Sequence, residues 1–143
     1  MAAIARSAVL AVSLACLVQA SAHDDVLEVV TNMATGLTTV NIPLFMSAFD
    51  KEMPGYDTLE SNVKGLTNQA EVTSSIEPIE EKGDDSTYSV ELDWYLQVRS
   101  LLPDGPIVTR RQLIHCELRK EKKHWKVVAV KPIEFFAPAK LDK

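Results

Sequence analysis

TYSVELDWYLQVR, residues 87–99, alternates without a break. Tyr88, Val90, Leu92, Trp94, Leu96 and Val98 fall on one side, and Ser89, Glu91, Asp93, Tyr95, Gln97 and Arg99 on the other. A period of two over this length is the mark of a long strand with one face against a core and one in water. The stretch is flanked by turn residues, Lys82-Gly83-Asp84-Asp85 before it and LLPDGP (residues 101–106) after it. Residues 107–119 and 124–135 read as two further strands with a tight charged turn near Glu121-Lys122. Residues 73–81 are β-like but carry Pro78, which places that strand at a sheet edge.

Upstream the period becomes helical. Asp24 or Asp25 caps a first helix whose stripe is Val26, Val29, Val30, Met33 and Leu37. Asn41 caps a short second helix that tolerates Pro43 in its first turn. DKEMPGY, residues 50–56, is a loop by its Pro-Gly pair. Asp57 followed by Glu60 reads as a capping box, and Leu59, Val63, Leu66 and Ala70 then form a third helical stripe.

A turn at Glu121-Lys122 sets a register in which Leu118 faces Trp125, Cys116 faces Val127, Ile114 faces Ala129 and Gln112 faces Lys131. One sheet face is then dry at Leu118 and Trp125 and turns polar at Arg110, Gln112 and Lys131, beside Trp94 or Leu96. The other face carries Glu91, Asp93, Tyr95, Arg111, His115 and Glu117. In this reading no strand Asp, Glu or His points inward.

The chain has 143 residues and a net charge of −5, ordinary for one globular domain and unfavourable for nucleic acid. Charge is unevenly divided: residues 23–98 hold fifteen acids and three lysines, residues 99–143 eleven bases and five acids. The simplest outcome is neutralisation within the fold. MAAIARSAVLAVSLACLVQASA, residues 1–22, has one early Arg, a short apolar stretch and Ala20-Ser21-Ala22 before His23, the three parts of a secretory signal peptide. It predicts cleavage after Ala22, a mature domain over residues 23–143, and secreted or periplasmic localisation. Lipidation at Cys16 is the competing reading, with a poor match in the residues before it. The mature domain keeps one cysteine, Cys116, so no internal disulfide forms within it.

Three helices followed by an antiparallel sheet of long hairpins is an α+β layout with helices over one sheet face. That order, with VELDWYLQVRS and the closing WKVVAVKPIEFFAP, resembles the nuclear transport factor 2-like (SnoaL-like) superfamily over residues 25–138. The resemblance implies a cone: a curved sheet around a helical cover, with a pocket at the wide end and the family's first strand in residues 50–56. It also implies a homodimer through the outer sheet face, for which Asp93, Tyr95, Arg111 and His115 are the candidates. Family enzymes (isomerases, dehydratases, polyketide cyclases) hold a carboxylate or histidine inside the pocket. No catalytic residue carries over here by motif.

The expected function is therefore binding of a small apolar or amphipathic molecule without catalysis. Candidate pocket residues are Trp94, Gln112, Arg110, Lys131 and Tyr56, the Arg and Lys suiting an acidic group. A pocket enzyme and a ligand-free dimeric interaction module remain as alternatives. An Asp50–Tyr56 pair at the mouth would be the acid–base candidate. Nothing calls for a cofactor, and the mixed patch Glu91, Asp93, His115 and Glu117 matches no metal spacing. Arg119 to His124 reads as a solvated hairpin tip, and Phe135 and Phe136 as packed on the helices.

Overall fold

The computed structural model describes residues 22–141. The segment read as a signal peptide, residues 1–22, thus lies outside the described residues except for Ala22. Residues 22–38 form helix α1. It buries Val26, Val30, Met33 and Leu37 and leaves the acids of its first turn partly in water. Helix α2, Ile42–Met46, is capped by Asn41, whose side chain accepts the Leu44 N–H at 3.1 Å. The two helices meet at Gly36, where a Cβ would stand 2.7 Å from the Phe45 nitrogen. Only glycine permits that approach.

Helix α3 runs Tyr56–Gln69. Its cap is Gly55 at φ 84°, not Asp57, which sits inside the first turn. The left-handed backbone at Gly55 starts the helix before the expected capping box. Leu59, Val63 and Leu66 are buried, as the stripe requires.

Four antiparallel strands follow in sheet order β1-β2-β3-β4: β1 Ala70–Gly83, β2 Thr87–Ser100, β3 Ile107–Glu121 and β4 His124–Lys131. Along β2 every second residue from Val90 to Ser100 is buried. The β2–β3 register places Trp94 opposite Gln112, Leu96 opposite Arg110 and Leu92 opposite Ile114. The family strand expected in residues 50–56 is reduced to one parallel bridge, Phe49 to Val127, closed by Asp50 N–H to Val127 O and Val127 N–H to Ala48 O. Pro54 and Gly55 keep the following residues in turns.

Four expectations are corrected. The β3–β4 turn is one residue later, with Glu121 opposite His124, so Leu118 faces Val127. That two-residue shift preserves the inward face. A bulge at Val128 then reverses parity, and Lys131 pairs with His115 on the outer face, not with Gln112. β4 stops at Lys131, four residues short of the expected end, because Pro132 has no N–H for the ladder. A short 3₁₀ turn, Ile133–Phe136, replaces it. Finally, the bulge that leaves Ile79 unpaired in β1 moves the next residue round. Glu81 pairs with Val90 and joins the inner face, so that face does hold an acid.

Helices, sheet and 3₁₀ turn share one core. Trp94, Phe45, Phe136, Leu92, Leu96 and Ile114 are fully buried. Each such side chain contributes about 1.5–3 kcal/mol over its exposed state.

Candidate functional site

The inner face around Trp94 is filled by the chain itself. Phe136 stands edge-on to the indole at 5.0 Å and Phe135 lies at 6.1 Å. The Trp94 Nε1–H donates to Ser74 Oγ at 2.6 Å, so the polar end of the ring is also taken. Arg110 reaches from β3 to donate to the Phe135 and Ala137 carbonyls at 2.7 and 2.6 Å. Its guanidinium closes the 3₁₀ turn against the sheet, and burial lowers its pKa from the ordinary arginine range. Gln69 completes the clamp: its Nε2 donates to Ala139 O at 3.1 Å and its Oε1 accepts the Ala139 N–H at 2.6 Å. Gln112 shares the inner face but is exposed, since β4 ends before reaching it. Lys131 is exposed on the opposite side. The five pocket candidates are thus divided: Trp94 and Arg110 belong to the core and its closure, Gln112 to an open margin, Lys131 to the outer face.

Tyr56, the fifth, lines an open groove of about 890 Å³ between α2, the 50–55 turn, the start of α3 and the β3–β4 tip. Ile42, Pro43, Met46 and Phe49 supply its apolar surface. Lys51, Lys64 and Lys126 face Asp50, Glu52, Glu60 and Glu121 around it. Lys126 Nζ donates to the Ser47 carbonyl at 2.6 Å, tying β4 to the end of α2. The Asp50 carboxylate accepts the Glu52 backbone N–H at 2.8 Å, and that contact is the main reason its pKa is lowered. Arg119 at 3.7 Å adds attraction. Burial raises the Tyr56 phenol, with Glu60 and Asp57 adding repulsion to its ionisation. Asp50 is therefore ionised and Tyr56 protonated near neutrality. The apolar wall of α2 was not anticipated as a site. Its signal was the amphipathic pattern of residues 42–49, which also reads as plain core packing.

On the outer face Arg111 makes a two-pronged pair with Asp93, Nε–Oδ1 3.1 Å and Nη2–Oδ2 2.7 Å. That hydrogen bond holds the Asp93 carboxyl below the usual range. His115 Nδ1 meets Glu91 Oε1 at 2.5 Å. Tyr95 and Leu113 are exposed beside them, at 39% and 57%. Acids lie on β1 and β2 (Glu71, Glu77, Glu80, Glu91), while Arg111 and Lys131 lie on β3 and β4. The Cys116 thiol is buried on the inner face and its pKa is pushed up to about 12, chiefly by burial.

At the opposite end of the cone, the inward Glu81 meets α1. His23 Nδ1 lies 2.9 Å from Glu81 Oε1, and the Tyr88 hydroxyl donates to the same oxygen at 3.3 Å. Among the described residues, no three His, Cys, Asp or Glu side chains gather as a metal cage.

No family model matches the sequence, and no curated protein is similar to it in sequence. Solved structures do match in shape. A nuclear transport factor 2-like superfamily protein from Salmonella enterica serovar Typhimurium superposes with a TM-score of 0.65 at 12% identity, covering 85% of this chain and 94% of that one. A protein from Novosphingobium aromaticivorans, provisionally named a scytalone dehydratase, gives 0.72 at 10% identity over 79% and 83%. A hexachlorocyclohexane dehydrochlorinase, LinA type 2, gives 0.65 at 9% identity over 80% and 85%. At these identities the likeness is one of fold, and a fold of this kind hosts both enzymes and proteins with other roles.

Proposed function

From the nuclear transport factor 2-like fold of this chain, we propose that it is an exported, non-catalytic binding domain that holds a small amphipathic molecule in the groove between α2 and α3. The observation that carries this reading is the groove itself, about 890 Å³ with an apolar wall and a charged rim. That volume lies in the range typical of small-molecule sites. The rim offers both charges, three lysines and four carboxylates, to the polar end of the ligand. No cofactor enters the reading.

The test uses dodecanoate as the probe. Calorimetry on the mature protein should give a one-to-one complex, and Ile42→Arg, which fills the groove, should weaken it at least tenfold. Trp94→Phe, buried elsewhere, should leave it unchanged. Equal binding by wild type and Ile42→Arg would sink the groove reading. The domain pairs, in the same proposal, through its outer sheet face. A two-fold arrangement sets the acidic β1–β2 side against the basic β3–β4 side, with Tyr95 and Leu113 between them. Sedimentation of Tyr95→Glu should show a monomer, and a persistent dimer would place the interface elsewhere.

The enzyme reading rests on Asp50 and Tyr56 lining the same groove. Under it, Asp50→Asn abolishes turnover of a dehydratase-type substrate. Under the binding reading, that variant retains dodecanoate.

A further inference from the structure

The cluster at the start of α1 lies outside the groove and has no part in binding there. Three donors converge there from three elements, His23 from α1, Glu81 from β1 and Tyr88 from β2. His23 Nδ1 and Glu81 Oε1 are 2.9 Å apart, Tyr88 Oη and Glu81 Oε1 3.3 Å, and Tyr88 Oη and His23 Nδ1 3.5 Å. Neighbouring donors around a metal held by bonds of about 2.0–2.1 Å are themselves about 2.8–3.4 Å apart. Two of the three separations fall in that range and the third lies at its edge. The His23 and Glu81 side chains are 42% and 25% exposed, so an ion has a way in.

His23 is also the residue that the signal-peptide reading makes the first of the mature chain. Cleavage after Ala22 turns its amide nitrogen into an amine. An N-terminal amine and the Nδ1 of the same residue close a chelate ring on one ion. We propose, resting on that cleavage, that export creates a copper(II) site from the His23 amine, His23 Nδ1 and Glu81 Oε1, with the Tyr88 hydroxyl beside them. The donors are two nitrogens and hard oxygens, the set that copper(II) takes in tetragonal geometry, and copper heads the affinity order of the divalent ions. Binding displaces the ammonium proton and requires the neutral imidazole. A cation at a helix start opposes the helix dipole. Here Asp24 and Asp25 in the first turn, together with Glu81, supply compensating negative charge.

The geometry has an origin in the sheet. Without the extra residue at Ile79, Glu81 would keep the parity of Glu77 and point away from α1. The bulge thus brings the carboxylate to His23.

The experiment titrates copper(II) against a chromophoric competitor, using protein released from a fusion so that it begins at His23. The mature protein should bind one ion at least tenfold more tightly than the free peptide HDDVLE, which offers only the amine and imidazole. Glu81→Gln should lose about 10–100-fold. The uncleaved fusion keeps the His23 nitrogen an amide with no free amine beside it, and should lack the tight site and its electron paramagnetic resonance signature. Equal affinity of protein and peptide, or an unchanged affinity in the uncleaved fusion, overturns the proposal. So does an intact mass showing that the exported protein begins at any other residue. Dodecanoate binding in the groove is independent of all three results, so failure here leaves the proposed function to its own test.

Discussion

Replacing Phe136 by Ala separates a filled cone from an open one. Phe136 has no exposed surface and packs against Phe45, Trp94 and Phe135 with ring centroids at 5.6, 5.0 and 5.2 Å. A buried Phe→Ala change costs about 3–5 kcal/mol, the spread reflecting how far the site collapses. Collapse is restricted here, because Arg110 and Gln69 pin the backbone on either side of the ring. Three aromatic contacts, each adding roughly 0.5–1.5 kcal/mol beyond area burial, also favour the upper half of that range. A loss of about 4 kcal/mol lowers the folded-to-unfolded ratio about a thousandfold. Against a typical stability of about 5–15 kcal/mol, the variant stays folded with a reduced margin. Urea unfolding followed by tryptophan fluorescence should show the midpoint falling with the slope unchanged. The cavity is apolar, so benzene should raise the midpoint of the variant and not of the wild type. A cost below about 1 kcal/mol would refute the reasoning. It would mean that the 3₁₀ turn is a loose cover and that the wall at Trp94 is open to a ligand after all.

Three other outcomes are expected. The Cys116 thiol, its pKa raised to about 12 by burial, should resist Ellman's reagent in the native protein and react at once in urea; rapid native labelling would contradict the packing of β3. Asp50, Asp84 and Asp93 all have lowered pKa values, from backbone N–H contacts at Asp50 and Asp84 and from Arg111 at Asp93. Their contribution is complete above the unfolded carboxylate value of about 4 and is lost as pH falls through their folded values, so the fall in melting temperature from pH 5 to 2 should be shallower in Asp84→Asn and would count against the assignment if identical. Asn41→Ala should cost about 0.5–2 kcal/mol in thermal unfolding, and Asn41→Ser should restore most of it; no loss would mean that the cap on α2 contributes nothing.

The long strand was legible because nothing interrupts its alternation from Tyr88 to Val98. The three helices were legible from their stripes. The misreadings fell at single residues that alternation does not report. The extra residues at Ile79 and Val128 each reverse the parity of the strand beyond them, and neither is marked by Gly or Pro at its own position. The first hid Glu81 from the inner face and the second sent Lys131 to the outer one. Pro132 was visible in the sequence and should have ended β4. Asp50 and Tyr56 bracket the turn that the Pro-Gly pair announced, but the apolar wall opposite them comes from α2. Its residues look like core until the helix is seen to leave Ile42 and Pro43 at the surface. Trp94 shows the converse difficulty. Whether a strand tryptophan lines a pocket or fills it depends on a turn forty residues further on.

The irregularity at Pro78 and Ile79 also bears on the behaviour of many copies together. β1 is fourteen residues long and is an edge strand, so among the described residues its outer row of peptide groups has no neighbour in the sheet. An edge of that length is a template on which another copy can stack. Pro78 removes one donor near its middle, and the unpaired Ile79 bends the ribbon beside it. Glu77, Glu80, Glu81 and Lys82 surround the break with charge. The edge is thereby broken into two unequal runs, and a second chain cannot pair along all fourteen residues without a break.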